Sequence, residues 1–102
     1  MNYRIIFAPG ANVDLRSIVR WYERIDPNLA FRFILETRAT LRRIAQFPYQ
    51  FPLIEGTFRR ARLKRFPYRI FFYVVKDRVV VKTLVHKNRA DSAWMGRGNG
   101  YC

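Results

Sequence analysis

Between Val13 and Gln46 the apolar residues recur at helical spacing, and the pattern is interrupted once, at Asp26-Pro27-Asn28. Leu15, Ile18, Val19, Trp21, Tyr22 and Ile25 make the first stripe. Ala30, Phe33, Ile34, Thr37, Leu41, Ile44 and Ala45 make the second, which Phe31 and Leu35 widen. Such spacing predicts two helices, the second running from about Leu29 to Gln46. Asp26-Pro27-Asn28 ends the first and is placed to cap the second. So short a link folds two helices back as an antiparallel hairpin. Two amphipathic helices cannot bury their stripes on each other alone, so a second layer is required.

The rest of the chain supplies that layer. Tyr3 to Phe7 reads as a short strand that ends at Ala8-Pro9-Gly10. Asn12 is a plausible N-cap for the first helix, with Asp14 favourable in its first turn. After the helices, Phe47 to Phe58 is rich in turn signals, with Gly56 at a turn. Three strand patterns follow, about Arg60 to Phe66, Tyr68 to Lys76 and Arg78 to His86. The short link at Lys76-Asp77-Arg78 calls for an antiparallel hairpin. The expected class is α+β: an N-terminal strand, an antiparallel helix hairpin, then a three-stranded antiparallel sheet packed on the helices. With 102 residues there is room for one domain, expected over residues 1–95, and the glycine-rich residues 96–102 read as a flexible tail.

Half of the residues are hydrophobic and 17% are aromatic, enough for a core at this size. No apolar run approaches the ~18 residues of a membrane span, and the N-terminal apolar run is too short for a signal peptide. The one cysteine, Cys102, has no intrachain partner and fits a reducing compartment, so a cytoplasmic location is expected.

Charge is the other strong constraint. Twenty Lys and Arg stand against seven Asp and Glu, a net +13. That balance points to an anionic partner: nucleic acid, an acidic protein or an anionic membrane surface. Six of the cations fall between Arg59 and Tyr73, at Arg59, Arg60, Arg62, Lys64, Arg65 and Arg69. In a strand, alternate side chains share a face, so Arg60, Arg62 and Lys64 would line one face with Ala61 and Leu63 on the other. A row of like charges is retained where something anionic binds, or where the face is merely well solvated. Arg60, Arg62, Lys64 and Arg69 are therefore the candidate anion-binding residues.

The order of these features resembles the ParE/RelE superfamily of toxins from bacterial type II toxin–antitoxin modules. The resemblance rests on the strand ending near Pro9, Ala11-x-x-Asp14-Leu15, Ala30 and Leu41 in the second helix, and Phe47-Pro48. It continues through the arginine run into Phe66-Pro67-Tyr68-Arg69-Ile70-Phe71-Phe72-Tyr73 and closes with His86, Arg89, Asp91, Trp94 and Arg97. It implies a compact toxin, neutralised by a cognate acidic antitoxin, in a module of the kind used for plasmid stabilization. Two activities occur in the superfamily. ParE-like members inhibit DNA gyrase; RelE-like members cut mRNA in the ribosomal A site. The Phe66–Tyr73 segment and the chain's ending look closer to ParE. A basic nucleic-acid-binding module without toxicity is the third reading.

Chemistry of its own has few candidates. One His and one Cys make no zinc set, and no cofactor motif is present, so neither metal nor cofactor is expected. Ser17 and Ser92 have only His86 as a base, in no recognisable motif. Metal-independent RNA cleavage needs a base, an acid and cations for the phosphorane. If the chain is RelE-like, His86 is the acid or base and Arg62 and Lys64 supply charge. The plainer reading of His86 is a strand-end histidine with a local hydrogen bond. Likewise Trp21 and Tyr22 read as helix packing, Trp94 as an anchor, and Arg89 with Asp91 as a surface ion pair.

Overall fold

A computed structural model of the chain describes residues 2–88. The expectations for Arg89, Asp91, Trp94, Arg97 and the tail lie outside the described residues. The elements are β1 Arg4–Phe7, α1 Pro9–Ile25, α2 Pro27–Gln46, a short 3-10 turn Pro48–Gln50, β2 Leu53–Glu55, β3 Phe58–Arg62, β4 Tyr68–Val75 and β5 Arg78–His86. The helix hairpin and the three antiparallel strands are as the sequence predicts. The sheet is wider than those three: its order is β1-β5-β4-β3-β2, and β1 joins it parallel to β5, Ile5 facing Val79 and Phe7 facing Val81.

The first helix begins earlier than its predicted cap. Pro9 takes the first helical position and Ala8 stands as N-cap without a side-chain bond, so Asn12 caps nothing. Proline suits that position because its fixed φ is helical and it has no N–H to leave unpaired. At the hairpin, Asp26 closes α1 and opens α2: its N–H reaches Tyr22 O at 2.8 Å, and its Oδ1 accepts from the Asn28 N–H at 2.9 Å. Gly56 turns β2 into β3 with φ of 57°, a conformation that side chains disfavour.

The core lies between the hairpin and one face of the sheet. Ile18, Tyr22, Phe33 and Ile44 from the helices meet Ala61, Ile70, Phe72, Val79, Val81 and Leu84 from the strands. Four rings interlock at its centre: Tyr22, Phe33, Phe66 and Tyr68, with centroids 5.2–6.5 Å apart. Trp21 does not share in this. It is 54% exposed, because one residue before Tyr22 is about 100° around the helix from the buried stripe.

Burial pushes the Tyr22 phenol above its ordinary value of 10.0, and the neighbouring Tyr68 adds to the effect. The folded state thus holds the proton more tightly than the unfolded chain does. Stability present below pH 10 should fall as pH rises past the unfolded value. In denaturant melts between pH 8.5 and 11, Tyr22→Phe is expected to show a shallower alkaline decline than the parent chain. Parallel slopes would remove Tyr22 as the cause.

Candidate functional site

Residues paired directly across strands share a face of the sheet. Ala61, Ile70 and Leu84 are so paired and face the helices; Arg62, Arg69 and Val85 are the next row and face away. Arg60 pairs with Phe71 on that same open face. Phe71 and Val85 form a small second cluster there, against Ile54 and Phe58. The open face thus combines an apolar centre with Arg60, Arg62 and Arg69. Arg62 is exposed and the other two are half-buried.

Lys64 does not belong to this row. β3 ends at Arg62, and Lys64 lies in the bend that follows. The strand stops because α2 captures its backbone. The Glu36 carboxylate accepts the N–H groups of Lys64 and of Arg65, the latter at 3.0 Å. Leu63 N–H still reaches Tyr68 O at 3.0 Å, and Phe66, preceding a proline, is biased to an extended or turn conformation. Arg59 is likewise diverted. Its guanidinium donates to Phe51 O at 2.6 Å and lies 5.0 Å from the Tyr49 ring.

His86 sits on the other side of the sheet. It pairs with Tyr68, whose ring packs against the core, and the two rings meet edge-on at 5.3 Å. Its Nδ1 accepts from the Asn88 N–H at 3.1 Å. That bond places the proton of a neutral imidazole on Nε2. Arg62 and His86 are therefore separated by the sheet, and Lys64 stands in a bend apart from both. No group of three or more metal-ligating side chains occurs among the described residues.

A feature that the sequence reading missed lies on the hairpin. A groove of about 470 Å³ runs between α1 and α2, floored by Leu15, Val19, Ile34, Thr37 and Leu41 and flanked by Arg16, Arg20 and Arg38. Thr37 is 3% exposed, and its hydroxyl has no hydrogen-bond partner among the described residues. The sequence assigned these apolar positions to the core stripe. They are its outer margin, only half-covered by the sheet. The signal that was available is the breadth of the two stripes, wider than one sheet face can cover.

Known proteins place this architecture. The family described as ParE toxin of type II toxin–antitoxin system, parDE, matches residues 5–90, most of the chain. The chain belongs to the ParE toxin family. No curated protein matches the sequence. Among solved structures, the chromosomal ParDE system of P. aeruginosa superposes with a TM-score of 0.72 at 18% identity, over 82% of this chain and 95% of that one. The RelBE2 toxin–antitoxin complex of Mycobacterium tuberculosis gives 0.57 at 18% identity, over 84% and 99%. The archaeal RelE–RelB complex of Pyrococcus horikoshii OT3 gives 0.55 at 24% identity, over 88% and 100%. At such identities these likenesses speak for the fold. Among the described residues, the open strand face and the hairpin groove each combine apolar surface with arginine side chains. No helix among the described residues is long and apolar enough to cross a membrane.

Proposed function

We propose that this ParE-family toxin inhibits DNA gyrase by binding it, without bond-breaking chemistry of its own, and is neutralised by a cognate antitoxin. One observation carries the reading. The groups a nuclease would need do not converge, since His86 and Arg62 lie on opposite faces of the sheet and the His86 Nδ1 is engaged by Asn88. General acid–base catalysis requires such groups within hydrogen-bond reach of one substrate. The family match favours the same side of the superfamily.

Purified toxin is expected to block gyrase supercoiling and to leave ribosome-bound mRNA intact, and His86→Ala should inhibit as strongly as the parent. Ribosome-dependent cleavage that falls ~10²–10⁴-fold in His86→Ala would replace this reading with a RelE-like one.

The antitoxin partner follows from the complexes that its structural relatives form. An amphipathic helix with an acidic margin fits the α1–α2 groove, its apolar side on Leu15, Val19 and Leu41, its acids toward Arg16, Arg20 and Arg38. An extended acidic stretch fits the open face at Arg60, Arg62 and Arg69. Rim charges govern encounter more than final affinity. Converting those three arginines to Gln should slow association with the cognate antitoxin and flatten its salt dependence. Stopped-flow association at two ionic strengths measures both, and an unchanged rate and slope would make the face merely solvated.

A further inference from the structure

The exposed side of α1 carries a charged surface that shares Arg16 and Arg20 with the groove and continues beyond it to Arg24 and Trp21. Arg16, Arg20 and Arg24 recur every four residues and all are exposed. At 1.5 Å per residue they stand ~6 Å apart along ~12 Å of helix. Trp21 lies beside them, 54% exposed, with the Arg24 guanidinium 5.9 Å from its ring centroid. Val13, 57% exposed, and Ser17 complete the sector. From Arg16 round to Trp21, ~140° of helix surface, no acid occurs. Of the two acids of α1, Asp14 is buried against β5, and Glu23 borders the arginines on the groove side, where it lines the groove together with Arg16 and Arg20.

We infer that this face of α1 binds the phosphate backbone of duplex nucleic acid. The inference stands whether or not gyrase is the target; Arg16 and Arg20 also flank the groove, so an antitoxin helix seated there would compete with the duplex. Arginine is suited to it, because the planar guanidinium engages a phosphate with two parallel hydrogen bonds. The shape agrees as well. The face is the convex side of a helix whose inner side is held by the sheet, and a duplex major groove, ~12 Å wide, admits such a helix. The net charge of +13 adds long-range attraction for a polyanion. Trp21 supplies apolar surface for the sugars. A membrane-surface helix would segregate its apolar and cationic residues, whereas here Val13 falls between Arg20 and Arg24 around the helix, with Trp21 at the margin. Contacts of this kind position the chain on the duplex without reading sequence.

The test is a titration of a labelled random-sequence 20-base-pair duplex with the full chain, followed by anisotropy between 50 and 200 mM salt. Each phosphate contact contributes ~0.9 to the slope of log K against log salt. Arg16→Gln/Arg20→Gln/Arg24→Gln should therefore flatten the slope by ~2.7, reducing the loss of affinity across that salt range by ~40-fold. Arg32→Gln/Arg42→Gln/Arg78→Gln makes the same change in net charge at other exposed sites and should leave the slope within ~0.5 of the parent. If the α1 triple variant melts early, the three single variants replace it, each expected to flatten the slope by ~0.9. Duplex should also quench indole fluorescence in the parent and in Trp94→Phe, which keeps Trp21, but not in Trp21→Phe. Equal slopes for the two triple variants, or quenching that survives in Trp21→Phe, overturn the assignment. So does polyglutamate that displaces the duplex at equal charge concentration, which would give the face to an acidic protein.

Discussion

Phe33→Ala is expected to destabilise the fold by about 3–5 kcal/mol, the cost of deleting a fully buried aromatic ring. Phe33 is 0% exposed. Its ring lies 5.5 Å from Tyr22, 5.3 Å from Phe66 and 5.9 Å from Tyr68. These three partners come from α1, from the β3–β4 bend and from β4, so no single movement closes the cavity. Against a total stability of about 5–15 kcal/mol for a domain, the loss is a large fraction, and the melting temperature should fall by more than ~15 °C. Phe31 gives an internal control. It stands two residues away on the same helix but is 59% exposed, and Phe31→Ala should stay within about 0.5 kcal/mol. Thermal melts followed by circular dichroism compare the pair. Similar shifts in both would mean that the ring cluster is not where the core's stability resides.

The second large effect concerns Asp14. This carboxylate, 8% exposed, accepts the Thr83 hydroxyl and the Leu84 N–H, the latter at 3.3 Å. The contact sits beside an irregularity in the β4–β5 ladder, where Phe71 faces Thr83 but Phe72 faces Val81, so that β5 carries one additional residue. A bulge interrupts regular pairing, and Asp14 supplies the acceptor for the Leu84 N–H. It thereby ties α1 to the middle of the sheet. Asp14→Ala removes the acceptor and leaves buried donors, each costing about 1–3 kcal/mol. The expected total is about 3 kcal/mol, with Asp14→Asn costing less because it keeps one acceptor oxygen. Thr83→Val should cost about 1 kcal/mol alone and little more when added to Asp14→Ala, because the two share one bond. Denaturant midpoints of the four variants measure this, and strict additivity would show that the bond is not the link.

How far the sequence reaches is clearest residue by residue. Ile18, Tyr22, Phe33 and Ile44 were legible as core because helical periodicity aligns them on one face, and that periodicity is a local property of the chain. Asp26 was legible as a boundary because its proline and its capping carboxylate act within a few residues. Lys76-Asp77 was legible as a tight link for the same reason, and Phe66-Pro67-Tyr68-Arg69-Ile70 with the closing His86, Arg89, Asp91 and Trp94, in a chain of this size and element order, suggested the ParE/RelE superfamily. Those signals determined the helix hairpin, the antiparallel strands and the basic character of the strand face.

Tertiary structure decided the rest. β1 joins β5, and that pairing spans some 74 residues of sequence, from Arg4 to Arg78. Nothing local encodes such a partner. Lys64 reads as the third member of an arginine row, yet Glu36, 28 residues earlier, takes its N–H and ends the strand. His86 and Arg62 both read as candidates for one active site, and only the register of β3, β4 and β5 assigns them to opposite faces. Trp21 belongs to an apolar stripe by spacing, but a helix can bury only the part of its surface that the sheet covers. What falls outside that contact, the groove margin and the arginine face of α1, stays open to solvent and is where we propose that partners bind. Alternation and periodicity say which residues share a side of an element; the long-range packing of those elements alone determines which side meets the core and which meets another molecule.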